Sequence, residues 1–346
     1  MRKLLKALAI CTLFCTSTVS AKQTFDICWS HYTGWEPWAY ADESGILKKW
    51  GDKYNINLKL TLVNDYIESI NLYTTGKFAA CVMTNMDALT IPSVGGIDST
   101  ALIIGDFSNG NDGIVMKQGD SVKALKGRKV NLVELSVSHY LLSRALEMNG
   151  MSERDLTVVN TSDADIGSIF LSDANAAAVT WNPILLQLHS DKDAALVFDS
   201  SKIPGEIIDM MVVKTAEPDT LKKALTGAWY ETMTIMSGKN KAAKEAIALM
   251  AKTAGGTVAE YEAQLKTTAM FYTAAEATQF TTGAKLRDTM DYVRTFSYDR
   301  GLFGEGARSK DDVGIAFPDG SVLGNKDNVK LRFDSRYMQM AADGKL

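Results

Sequence analysis

The chain has 346 residues, 46% of them hydrophobic and 23% charged, an ordinary globular composition with length for two domains and a large core. Its formal net charge is −4. An acidic chain argues against a nucleic-acid partner, whose phosphates reward basic surfaces.

Residues 1–21 carry the pattern of a cleavable signal peptide. Arg2, Lys3 and Lys6 precede an apolar run over 7–14, and Val19-Ser20-Ala21 puts small residues ahead of a cut after Ala21. That run is too short to span a bilayer, and no later stretch is long and apolar enough. The mature chain is therefore expected in the periplasm. Cleavage removes three positive charges and moves the formal charge from −4 to −7, which is mildly compatible with a cationic ligand. Cys11 and Cys15 leave with the peptide. Cys28 and Cys81 remain in apolar, strand-like segments, and both a disulfide and a pair of buried thiols fit them. There is no CxxC and no Cys/His cluster, so neither a metal nor a cofactor is expected.

In chain order, residues 25–29 form a short apolar strand, followed by a polar, aromatic loop to Tyr40 and a helix over 41–50. Alternation of Leu58, Leu60 and Leu62 predicts a half-buried strand over 56–63. A helix over 67–72 and a buried strand over 79–84 follow. The alternation resumes with a strand at 112–116, and the run 125–133 ends in another. Ser136 or Ser138 caps the next helix, which runs from Tyr140 to Met148. Strands at 156–159, 176–181, 195–198 and 208–213 complete a second unit. Beyond Pro218, residues 221–236, 241–253, 258–268 and 277–294 show helical spacing. The tail is rich in Gly, Asp and Lys, with weak strand signals at 329–333.

This order implies an α/β fold of two lobes with extra C-terminal helices. Lobe 1 comprises 22–107 and 214–346, and lobe 2 comprises 108–213. Ligands bind beyond the carboxyl ends of strands in open α/β sheets, so the cleft between lobes is the expected site, and hinge closure the expected motion.

Asn111-Asp112-Gly113-Ile114-Val115-Met116, the run from Val122 to Val130, Ser138-His139-Tyr140-Leu141-Leu142 and Ala178-Val179-Thr180-Trp181-Asn182-Pro183 form a linked set of motifs. Together they resemble the nitrate/sulfonate/taurine-type substrate-binding proteins of ABC importers, over residues 25 to about 300. Asn182 stands where that family has Glu. Ser30-His31-Tyr32-Thr33-Gly34-Trp35-Glu36-Pro37-Trp38 resembles a narrower branch, the binding proteins of importers encoded beside urea carboxylase, which are read as guanidine-handling. The resemblance implies a type II periplasmic binding protein fold, a permease and an ATPase as partners, a monomer, and guanidinium or urea as ligand. One departure matters. Sulfonate and nitrate binders hold the anion at a helix N-terminus behind a small Gly/Ser pair. Here Val133-Glu134-Leu135-Ser136 puts a carboxylate in that loop, which counts against an anion.

Guanidinium is planar and cationic and offers only N–H donors, so its site needs in-plane carboxylates and an aromatic face. Trp35, Trp38 and Trp181 end strands or follow them, where cleft residues belong; packed core is the other reading. The candidate carboxylates are Glu134, Asp87, Asp112, Asp209 and Glu206. Asp87 fits equally as a helix N-cap and Asp112 as a turn cap. Asp209 interrupts an apolar run and needs a partner, either the ligand or a nearby Lys. Thr84 and Asn85 could add hydroxyl and amide contacts. His31 and His139 have no nucleophile at readable spacing and read as a loop residue and a helix-start residue. No phosphate loop, GxSxG or HExxH is present. The thiamin-pyrimidine synthases share this fold but need a Cys-rich run that is missing here, so no catalysis is expected. A sensor presenting its ligand to a membrane receptor is not separable from transport at this stage.

Overall fold

The computed structural model describes residues 21–346. The body of the signal-peptide pattern and Cys11 and Cys15 lie outside the described residues. Fourteen strands are β1 (Gln23–Trp29), β2 (Ile56–Leu62), β3 (Ala80–Thr84), β4 (Ser99–Ser108), β5 (Asp112–Lys117), β6 (Lys129–Leu132), β7 (Thr157–Asn160), β8 (Ala177–Trp181), β9 (Ala194–Asp199), β10 (Ile208–Lys214), β11 (Thr268–Met270), β12 (Gly314–Ala316), β13 (Val322–Leu323) and β14 (Val329–Phe333). They form two sheets. The larger runs β13-β12-β14-β4-β10-β3-β1-β2, with β11 on β4, and the smaller runs β7-β6-β8-β5-β9. The two-lobed α/β fold expected from the sequence is the fold found.

Burial explains the strand patterns. β3 is buried at every position and β4 at all but Phe107, as befits central strands covered on both faces. β2, at an edge, alternates between sheltered and exposed positions. Helices Asp219–Met236 and Lys241–Thr253 pack on helices Glu36–Glu43 and Ile46–Lys53. The C-terminal helices thus cover the first lobe.

The structure corrects the sequence reading at several points. The helix expected over 41–50 is two helices, broken at Gly45, whose φ of 80° favours a residue without a Cβ. β4 was not foreseen, although it is the strand from which the chain crosses into the second lobe. The helix after β6 starts at Val137, and its cap is Ser136, whose Oγ accepts from the Ser138 N–H. The chain returns to the first lobe before Ile208, and not near residue 214. β10 lies in the middle of the larger sheet, antiparallel to both β3 and β4. Its largely apolar pattern is satisfied by a central position in either sheet, which is why the pattern alone misplaced it.

Cys28 and Cys81 are opposite one another on β1 and β3 and are joined in a disulfide. The bond closes a sequence separation of 53 residues, worth about 4 kcal/mol in the chain-entropy account. We expect both cysteines to resist alkylation in the denatured, unreduced protein and to label after reduction, with a lower unfolding midpoint. Labelling before reduction would contradict the bond.

Candidate functional site

The two chain crossings bring the site together. Asp106 lies near the end of β4 and Asp209 near the start of β10, and these two residues face each other in the antiparallel pair. Three residues beyond β4 the chain enters β5 at Asp112. The loop after β1 adds Tyr32 and Trp35, the end of β3 adds Thr84, the helix Tyr66–Thr74 adds Tyr66, and β8 adds Trp181. Tyr32, Trp35, Tyr66, Thr84, Asp112, Val137, Trp181, Ile207 and Asp209 enclose a pocket between the lobes with ≈ 240 Å³ of space not filled by atoms. The lobes are drawn shut across it. Trp181 Nε1 donates to the His31 carbonyl (3.3 Å), and Ser162 Oγ donates to Asp65 Oδ2 (3.2 Å).

The aromatic walls are continuous. Trp35 lies 5.0 Å from Tyr32 and 5.4 Å from Tyr66 between ring centroids, and Tyr66 meets Trp181 edge-on at 5.7 Å.

The polar surroundings of the pocket are acidic. Asp106, Asp112 and Asp209 are all buried, and each keeps one carboxylate oxygen without a hydrogen-bond partner. Asp106 accepts from the Tyr32 hydroxyl (3.0 Å). Asp87, just behind the lining, accepts from the Tyr66 hydroxyl (2.7 Å) and from Thr84 Oγ1 (2.8 Å). No Lys or Arg lines the pocket, and none of the ion pairs among the described residues involves these four acids. Burial without a counter-charge pushes the carboxyls up, to about 7 for Asp106 and Asp112 and about 6 for Asp87. Asp209 is raised well above its ordinary value by burial, and next by the Asp106 and Asp112 charges. Beside the Ser162–Asp65 contact, Asp163 of the second lobe is also pushed up to about 6, by burial first and by Asp65 second.

Of the residues singled out in the sequence, Trp35, Thr84, Asp112, Trp181 and Asp209 line the pocket, and Asp87 supports it. Four do not belong there. Trp38 is core, tilted against Trp229 with 5.1 Å between centroids. Glu134 is exposed, in a loop where Leu135 takes a φ of 64°, and Val137 occupies the lining in its place. Glu206 is neutralised by Arg144 (2.9 Å) and accepts from the Tyr140 hydroxyl (2.6 Å). Asn85 clamps the returning chain, accepting from the Ile208 N–H and donating to the Glu206 carbonyl (both 3.1 Å). Asp106, Tyr32 and Tyr66 were missed. Asp106 had a legible signal, a carboxylate ending the apolar run Ala101-Leu102-Ile103-Ile104-Gly105, the same anomaly that marked Asp209. The two histidines are committed elsewhere: His31 Nδ1 pairs with Glu36 (2.7 Å), and His139 joins the Leu135 N–H and Glu153. Among the described residues no group of three or more His, Cys, Asp or Glu is arranged to hold a metal ion.

The NMT1/THI5-like family model matches residues 53–225. The chain belongs to that family. No curated protein matches it in sequence. Among solved structures it is similar to the alkanesulfonate-binding protein SsuA of Xanthomonas axonopodis pv. citri bound to MOPS (TM-score 0.67, 15% identity, covering 83% of this chain and 96% of that one). It is also similar to a putative periplasmic sulfonate-binding protein SsuA of Methylobacillus flagellatus KT (TM-score 0.68, 11% identity, 94% and 96%). A third likeness is to the periplasmic nitrate-binding protein NrtA of Synechocystis PCC 6803 (TM-score 0.58, 13% identity, 94% and 99%). The fold is thus that of the periplasmic binding proteins. No helix among the described residues is long and apolar enough to cross a membrane.

The acidic lining sets a pH dependence. An aspartate in an unfolded chain titrates near ~3.9, below Asp87, Asp106, Asp112 and Asp209 in the fold. Between about pH 4 and about pH 7 the unfolded chain has shed protons that the folded one retains, so these groups cost the ligand-free protein stability as pH rises. We expect Asp209→Asn to be stabilising at pH 8, with the difference from the native protein shrinking towards pH 4. Calorimetric melting of both proteins across this range measures it. A difference independent of pH would contradict the assignment.

Proposed function

We propose that this protein is the solute-capturing component of an ABC importer and that its pocket takes a small planar nitrogenous cation, guanidinium first. The observation that carries the proposal is the set of buried acids with free oxygens and no basic residue beside them. A buried, unpaired carboxylate is costly, and a cation with several N–H donors removes that cost. The indole and phenol walls suit the flat faces of such a cation, each stacking contact contributing roughly 0.5–2 kcal/mol.

The same lining disfavours the alternatives. Sulfonate and nitrate need donors, but the hydroxyls of Tyr32, Tyr66 and Thr84 already donate to Asp106 and Asp87. The start of the helix Val137–Met148, the kind of terminus that holds anions, faces an acid instead: the Val137 N–H favours the charged form of Asp87. Urea shares the shape of guanidinium but brings no charge to offset the acids. A solute with a long alkyl chain has no room in so small a pocket. The fold supports capture by lobe closure, and the engaged histidines support binding without turnover. The leader pattern of residues 1–21 supports export to the periplasm.

Calorimetric titration with guanidinium, urea, taurine and nitrate tests the reading. We expect guanidinium to bind most tightly. Asp112→Asn or Asp209→Asn should weaken it at least tenfold, since removing one partner of a buried charge pair costs about 2–5 kcal/mol. Trp181→Ala should weaken it less. Binding of taurine or nitrate with no response to guanidinium would overturn the cation assignment and leave the carrier fold intact.

A further inference from the structure

Asp106 and Asp209 form a pair that the cation reading does not by itself require. They are direct partners across β4 and β10, so their side chains leave the sheet on the same face. Both are almost completely buried, at 0% and 2% exposure. Asp209 lines the pocket and Asp106 stands behind it, against the backbone of the loop after β1. A Cβ placed on Gly34 would fall 2.2 Å from Asp106 Oδ2, so this oxygen lies on bare main chain with no space for water. Tyr32 donates to Asp106 Oδ1 and is close enough to hydrogen-bond Asp209 as well.

The surrounding elements bring no positive charge to this pair. The loop after β1 offers Tyr32, and β5 offers Asp112. The helix Val258–Leu265 offers Tyr261, the segment after β11 offers Tyr272, and the helix Asp219–Met236 offers only the indole of Trp229. Two carboxylates this close, buried and without a cation, do not both ionise; one proton stays between them.

We propose that the Asp106–Asp209 pair stores one proton in the ligand-free pocket and releases it to solvent when a cation is captured. This rests on the cation reading above. The charge balance is simple. Before capture the pair is one carboxylic acid hydrogen-bonded to one carboxylate. The cation enters with its own charge, both groups become carboxylates, and the proton leaves to water. Capture therefore tightens with rising pH, by up to tenfold per pH unit for one proton released. Asp106 acts as a positioning residue, holding the charge state of Asp209 without lining the pocket.

The test uses the mature protein and guanidinium chloride, titrated calorimetrically at pH 6 and pH 7 in PIPES and in ACES, two buffers with different ionisation heats. The native protein is expected to show heats that differ between buffers, and Asp106→Asn to show a difference smaller by up to one proton per site. As a measurement free of both ligand and variant, residue-assigned carbon-13 NMR of the aspartate carboxyls in the ligand-free native protein should show one proton shared between Asp106 and Asp209 at pH 6. Equal heats in both buffers would overturn the release step while leaving cation binding standing. Asp106 and Asp209 both ionised by pH 5 would overturn the stored proton. No heat with guanidinium in either buffer would overturn the cation reading and the release step together, yet would leave the NMR signal of the stored proton in place.

Discussion

Carboxylates held out of water with no basic side chain to meet them dominate the physics of this molecule. A charge removed from water normally finds an opposite charge, gives up its ionisation, or is not tolerated. Here Asp87, Asp106, Asp112 and Asp209 are buried, and hydroxyls from Tyr32, Tyr66 and Thr84 supply only part of what they lack. The rest of the site follows from that deficit. Aromatic rings keep water away and thereby deepen it. The lobes close over a small enclosed space, so nothing large can relieve it.

The strands that connect the lobes are also the strands that carry the acids. β4 delivers Asp106 and then Asp112 as the chain leaves the first lobe, and β10 delivers Asp209 as the chain returns. Any change in the angle between lobes must alter the spacing of Asp112 from Asp106 and Asp209. A cation that pulls them together favours the closed form by the difference in its affinity for the two arrangements. The hinge is braced from behind by contacts that avoid the pocket: Asn85 on the backbone at 206 and 208, and Glu206 on Arg144 and Tyr140. Similarity in fold to sulfonate- and nitrate-binding proteins is therefore compatible with a lining of the opposite electrical sense, because the scaffold fixes where the pocket is and the side chains decide what enters it.

Much of this was legible in the residues, and the exceptions have physical causes. Asp209 stood out because an acid inside an apolar run must find a partner, and Trp181 because it ends a strand. Glu134 misled because a carboxylate one residue from a strand end can turn either way, and a left-handed Leu135 accompanies its turn to solvent. Trp38 misled because a tryptophan in a strand-end loop serves core and cleft equally well; only Trp229, nearly two hundred positions on, shows which. Asp106 was overlooked along with the whole of β4.

The sequence by itself determined the periodicities, and with them the alternation of strands and helices, the two-lobed architecture and the class of carrier it resembles. It also determined that acids interrupt apolar strands at the lobe crossings, since that depends only on neighbours along the chain. The tertiary structure alone decided that Ile208–Lys214 belongs to the first sheet, that Cys28 and Cys81 are bonded, and that Asp106 faces Asp209. Those outcomes depend on register between strands far apart in the chain. Register is set by packing across the sheet, and no local pattern of residues encodes it.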